Sequence, residues 1–235
     1  GMLQALGFGL LDAGGASIPR GGAGLAQLAQ VNTAHVCTAL QECRFRIACD
    51  VTNPLCGPDG CSAVYGPQKG ADPTMVHILD RAMAHYAQTV RQFLPHADPD
   101  APGAGAAGGL GFAFCTFLNG TLCSGADLVL AETRLEEHIR WADLVITGEG
   151  RLDGQTAHGK GPAAAAALGK KHGKPVIALA GCLGAGADAC HAVMDAFFPI
   201  VPGPCALEDA LRPEIAKQNL SRTAEQVLRL WCVRT

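Results

Sequence analysis

The residues best equipped for chemistry run from Gly148 to Lys160, as Gly148-Glu149-Gly150-Arg151-Leu152-Asp153-Gly154-Gln155-Thr156-Ala157-His158-Gly159-Lys160. Two carboxylates, two cations and four glycines share these thirteen positions. Carboxylates hold a metal ion or take a proton, cations grip anionic oxygens, and glycines let backbone amides approach a phosphate. That is an inventory for phosphoryl transfer. The competing explanation is an ordinary solvated turn, because loops collect Gly, Asp and Lys whatever they do. Glu149, Arg151, Asp153, Gln155 and Lys160 are the side chains at stake, with Gly148 and Gly150 supplying backbone. A dinucleotide fingerprint is excluded, since no glycine follows Gly148 and Gly150 at the third spacing. The Gly-Lys-Ser/Thr phosphate loop is absent too.

Regular elements must hold such a set. Leu144 to Thr147 is a short β-branched run of the kind that fills a buried parallel strand, and Gly148-Glu149-Gly150 reads as the glycine loop that ends it. Pro162 stands where a first helical residue would, Ala163 to Leu168 continue the helix, and Lys170-Lys171-His172 lead to a stop at Gly173. Lys174 to Gly181 reads as the next strand. Strand, loop, helix and strand make a βαβ unit, and in open α/β sheets ligands sit outside the carboxyl ends of the strands.

A second constellation lies upstream. Phe45 to Val51 reads as a strand with Asp50 at its end. The stretch from Asp50 to Ala71 is so rich in proline and glycine that a long irregular loop is expected, of the kind used to hold side chains for binding. Asp50, Asn53, Gln68 and Lys69 are its polar groups of interest, whereas Asp59-Gly60 reads as turn chemistry. Asp72 before Pro73 is an N-cap signal, and Val76, Leu79, Met83, Tyr86, Val90 and Phe93 recur at helical spacing. Farther on, glycines at 105, 108, 109 and 111 precede an apolar helix over 112–118. Such a run either presents amides to an anion or lets two segments pack closely, and both readings stay open.

Composition narrows the function classes. The chain has 235 residues, 49% hydrophobic and 17% charged, with 30 glycines and 14 prolines. This describes a folded domain or two small ones with a substantial core. A net charge of −3 without a basic cluster argues against a nucleic-acid partner. No apolar run approaches the ~20 residues of a membrane span. None of the eleven cysteines forms Cys-x-x-Cys, so a reducing, cytoplasmic setting is expected. The opening Gly1 to Phe8 looks like helix body without an N-cap, as though an element began farther upstream. The second half alternates strand and helix while the first is irregular, which sets a boundary between 138 and 139.

Set side by side, Asp50-Val51-Thr52-Asn53-Pro54-Leu55, Gly66-Pro67-Gln68-Lys69-Gly70-Ala71, Gly105-Ala106-Ala107-Gly108-Gly109-Leu110-Gly111 and Gly148-Glu149-Gly150-Arg151-Leu152-Asp153 with Gly159-Lys160 closely resemble the type I glycerate kinase family. The motifs occur in family order over the whole chain. The family's N-terminal Ser-Phe-Lys and Asp-Gly-Gly-Glu-Gly motifs are not in it.

The resemblance implies an enzyme that uses ATP and Mg2+ to convert glycerate to a phosphoglycerate. It implies two α/β domains: a Rossmann-like one with a parallel sheet, assembled from the chain's beginning and end, and a middle one. Residues 1–138 would be the middle domain and 139–235 the returning part of the first, incomplete here. Asp50 or Asp153 would stand nearest the attacking hydroxyl and Glu149 would serve the metal. Lys69, Arg151 and Lys160 would neutralise anionic oxygens, with Asn53, Gln68, Gln155, Gly148, Gly150, Gly108, Gly109 and Gly111 binding substrate or nucleotide. Two other readings are a non-catalytic binder of a small anionic metabolite and one chain of a two-chain enzyme whose partner supplies the missing segment. An NAD-dependent oxidoreductase fits poorly.

Overall fold

The structure is a computed structural model and describes residues 1–158 and 161–233. It divides into two compact units, Gly1–Gly125 and Ala126–Thr235.

The first unit is built on short strands and two longer helices. Helix α1 (Met2–Ala5) precedes β1 (Gly9–Leu11), which pairs antiparallel with β2 (Gln30–Asn32). Strand β3 (Arg46–Ala48) pairs in parallel with β4 (Thr121–Cys123), and Asp50 follows β3 by two residues. The stretch expected to be irregular contains helix α2 (Cys61–Tyr65) and a 3-10 turn, Pro67–Lys69. Gly60, Gly66, Pro67 and Gly70 fall at the ends of these elements, where they start and stop a turn instead of forbidding one.

Helix α3 (Pro73–Phe93) begins as its sequence dictates, with the Asp72 carboxylate accepting the Met75 N–H at 2.8 Å. It buries Met83, Tyr86 and Val90 against Leu55, Leu28 and Phe112. Tyr86 and Phe112 meet edge-on at 5.3 Å. Each fully buried large side chain of this kind contributes about 1.5–3 kcal/mol. Helix α4 (Ala106–Leu118) contains Ala107, Gly108 and Gly109 at φ 49°, 70° and 91°, a left-handed kink near its start.

The second unit opens with helix α5 (Gly125–Glu132), whose first residue belongs to the first unit, and helix α6 (Leu135–Trp141). Strands β5 (Val145–Leu152), β6 (Val176–Leu183) and β7 (Ala196–Pro199) form a parallel sheet in that order. Helix α7 (Gly161–Lys171) joins β5 to β6, and α8 (Leu207–Ala210) and α9 (Pro213–Val233) close the chain. Strand β6 is central and buried on both faces, which explains its unbroken apolar run. Val176, Ala178 and Ala180 pack with Val145, Leu152 and Ala166, while Ile177 and Leu179 pack with Val227 of α9. The expected βαβ unit and mixed α/β class with a parallel sheet are thus present. No helix among the described residues is long and apolar enough to cross a membrane.

Candidate active site

Strand β5 differs from its sequence reading in one consequential way. The strand does not end at Thr147: it stays in register with β6 through Glu149↔Ala180, Arg151↔Cys182 and Leu152↔Leu183. Gly148 and Gly150 are strand residues, not a loop. Close backbone approach accounts for glycine there, because a Cβ on Gly148 would lie 2.3 Å from the Leu179 carbonyl oxygen. On the facing strand, a Cβ on Gly181 would lie 2.3 Å from that of Gly150. Glu149 and Arg151 consequently sit on a rigid strand near its carboxyl end. A strand fixes side chains more tightly than a loop does.

The residues after β5 are folded back by a set of local bonds. Asp153 Oδ1 accepts the Gln155 N–H at 2.9 Å, closing a turn. The hydroxyl of Thr156, itself only 2% exposed, accepts the Asp153 N–H at 3.2 Å and donates to Glu149 Oε1. Arg151 Nε lies 3.7 Å from Asp153 Oδ2. The segment after β6 wraps the same turn. Gly184 N–H donates to the Leu152 carbonyl at 2.7 Å and Gly154 N–H to the Ala185 carbonyl at 3.1 Å.

Gly184 also leaves a slot for the guanidinium, since a Cβ there would stand 2.5 Å from Arg151 Nε. Beneath the turn, Cys190 is fully buried with Sγ 3.8 Å from the Asp153 carbonyl oxygen. Burial first, and then the charges of Glu149 and Asp153, push its thiol above the ordinary value. Cys190 is thereby kept protonated at neutral pH.

Glu149, Arg151 and Asp153 are therefore gathered at one sheet edge within the second unit. Gln155 is exposed on the turn beside them. Lys160 and Gly159 lie outside the described residues.

In the first unit, Asp50 Oδ1 accepts the Gly125 N–H at 2.9 Å, which makes the carboxylate a backbone anchor. Asn53 is a loop organiser: Nδ2 donates to the Asp59 carbonyl at 2.9 Å and Oδ1 accepts the Tyr65 hydroxyl at 2.6 Å. Gln68 and Lys69 are exposed on their 3-10 turn.

The glycine run has a packing role that the sequence left undecided. A Cβ on Gly111 would lie 2.0 Å from the Gly103 carbonyl oxygen, and one on Gly105 would lie 2.2 Å from that of Pro54. Gly108 and Gly109 direct their N–H groups to the Gly105 carbonyl at 3.2 and 3.4 Å. Phosphate contact through the amides of Gly108 and Gly109 is thus not favoured, because those amides already have a partner. Gly111 is buried.

The sequence does not single out Thr156, and it marks Gly184 only as part of a glycine loop after Gly181. Thr156 had a signal, a hydroxyl three residues after a turn-forming Asp. The slot at Gly184 had none, since it depends on where β6 ends beside Arg151.

Glu149 and Asp153 suit Mg2+, a hard cation that keeps several waters and needs one or two carboxylates beside substrate phosphates. Among the described residues no group of three or more His, Cys, Asp or Glu is placed to cage a metal, which distinguishes this edge from a structural zinc site.

A model of the glycerate kinase family matches residues 1–232. Glycerate kinase of Bacillus subtilis is 44% identical over 228 residues, covering 97% of this chain and 59% of that protein. Glycerate 2-kinase of Escherichia coli is 44% identical over 229 residues, with the same two shares. A crystal structure from Salmonella typhimurium LT2, assigned to glycerate kinase 2, superposes with a TM-score of 0.80 at 42% identity, covering 97% of this chain and 61% of that one. The chain thus spans about 60% of the length of these relatives. It belongs to the glycerate kinase family.

Proposed function

We propose that this chain carries substrate- and nucleotide-binding parts of an ATP-dependent kinase that phosphorylates glycerate. The observation that carries the proposal is the fixing of Glu149, Arg151 and Asp153 at the carboxyl end of a parallel strand, in a chain of this family. Phosphoryl transfer asks little covalent chemistry of a protein; it asks for positioning and for charge that offsets the transferring group.

In this reading a glycerate hydroxyl oxygen forms a bond to the γ-phosphorus, the bond to the β,γ-bridging oxygen breaks, and ADP leaves. Asp153 or Asp50 accepts the hydroxyl proton. Glu149, or whichever of the two aspartates does not take the proton, would hold Mg2+, which would offset phosphate charge when bound. Arg151, Lys69 and Lys160 neutralise the substrate carboxylate and phosphate oxygens, and Asn53, Gln68 and Gln155 hydrogen-bond around them. The name of the Escherichia coli relative favours the 2-hydroxyl as acceptor.

On the family layout, residues 1–138 are the middle domain and 139–235 the returning part of a Rossmann-like domain. The remainder of that domain would come from a further segment or a second chain. We place the reaction in the cytoplasm, which suits eleven cysteines with no Cys-x-x-Cys.

The test is ADP release by the purified chain with MgATP, with and without glycerate. Enolase is added to the products to consume 2-phosphoglycerate directly. Glycerate-dependent ADP release with an enolase-competent product supports the proposal; release equal to the glycerate-free control overturns it. The second reading is binding of a small anionic metabolite without turnover. It predicts heat of MgATP or glycerate binding in calorimetry with no ADP release.

A further inference from the structure

We infer that Thr156 is the positioning residue of this site: its hydroxyl sets the orientation of the Glu149 carboxylate and ties it to the turn that carries Asp153. The inference rests on the kinase reading for its consequence and on the geometry for its content. A half-buried carboxylate on an exposed sheet edge can satisfy itself with water in several rotamers. Glu149 instead receives the single proton of a hydroxyl that is 2% exposed. The donor is itself constrained, because Thr is branched at Cβ and stiff at χ1. Its oxygen also accepts the Asp153 N–H at 3.2 Å, so one hydroxyl is bonded in both directions. The Asp153–Gln155 turn is closed separately by Asp153 Oδ1, and Thr156 links that turn to the Glu149 carboxylate.

Outer partners of this sort typically matter ~10–100-fold in metal affinity or activity. The effect must run through Glu149, and that gives the test its specificity. Four versions of the chain are compared: Thr156→Val, Thr156→Ser, Glu149→Gln, and the double variant Thr156→Val with Glu149→Gln. Thr156→Val keeps the shape and removes the hydroxyl. The expected result is a fall in kcat of about 10–100-fold with KM for glycerate changed less than about threefold. Thr156→Ser restores most of the loss, and the double variant is no slower than Glu149→Gln alone. A wild-type kcat in Thr156→Val overturns the inference, as does a loss that adds in full to that of Glu149→Gln.

The second measurement is independent of turnover: 13C relaxation of the Glu149 side-chain methylenes. These should be ordered in the wild-type chain and in Thr156→Ser, and mobile in Thr156→Val. An inactive wild-type chain that still shows this contrast counts against the kinase reading and supports the role of Thr156. An active wild-type chain with mobile Glu149 methylenes throughout overturns the role and leaves the kinase reading standing.

Discussion

Gly184→Ala is the most informative single perturbation, because the structure separates its effect on stability from its effect on the site. The added Cβ would lie 2.5 Å from Arg151 Nε, 2.8 Å from Nη2 and 3.0 Å from the Asp153 Cβ. All three contacts are with side chains, and the closest are at the far end of a flexible one that is 62% exposed. Gly184 is outside the left-handed region, so alanine adds no backbone strain. Relief comes by swinging the guanidinium away, which gives up the 3.7 Å pair with Asp153. An exposed pair contributes about 0–1 kcal/mol, and a loss of that size lowers the thermal midpoint of a chain this long by no more than ~4 °C.

The expected cost to the reaction is larger. If Arg151 donates to an anionic substrate oxygen, losing that hydrogen bond costs about 1.5–3 kcal/mol. At ~1.36 kcal/mol per tenfold, this lowers kcat/KM by roughly 10- to 150-fold. The assay is glycerate-dependent ADP release alongside a thermal melt, with Gly203→Ala as a control at a glycine whose Cβ would meet nothing within 4 Å. Unchanged kcat/KM in Gly184→Ala would refute the claim that the slot aims Arg151. A midpoint lower by more than ~10 °C would refute the claim that only a side chain has to move.

Two further predictions concern stability in the second unit. Leu152 is fully buried at the end of β5, so Leu152→Ala should lower unfolding stability by about 2–5 kcal/mol in urea titration, and a loss under ~1 kcal/mol would contradict the packing described. Glu136 accepts from His172 Nε2 at 2.7 Å and Lys171 Nζ at 3.0 Å, with Arg140 Nη2 at 3.5 Å. The His172 bond first, and then that of Lys171, hold its carboxyl at about 2, below the ordinary 4.5. A depressed folded-state value means that the stabilisation is present above 4.5 and is lost as pH falls through about 2. Glu136→Gln should therefore be less stable than wild type at neutral pH, with the gap closing at the acid end. A gap that stays constant with pH would contradict this.

The legibility of the sequence varied for physical reasons. Helix α3 could be read almost to the residue because its cap and its periodicity agree, and the stop of α7 before Gly173, at φ 66°, because a left-handed exit favours glycine. Strand β6 was legible as an apolar run buried on both faces, although it starts at Val176 and runs on to Leu183. Strand β5 was cut short because Gly148 and Gly150 look the same in a loop as in a strand whose neighbour approaches to within a side chain's width. The three-residue strands β2 and β4 carry too few positions to show a period. At the site, residue types pointed to Glu149, Arg151 and Asp153, but what holds them comes from β6 and from a hydroxyl seven residues along the chain. Only the fold brings those together.

The central claim is that the carboxylates at the end of β5 perform phosphoryl transfer to glycerate. The most direct measurement is kcat for glycerate-dependent ADP release by Asp153→Asn against the wild-type chain, a change that keeps shape and removes charge. The account predicts a loss of about 100-fold or more, the scale of a positioned general base. Turnover by Asp153→Asn equal to that of the wild-type chain would contradict it.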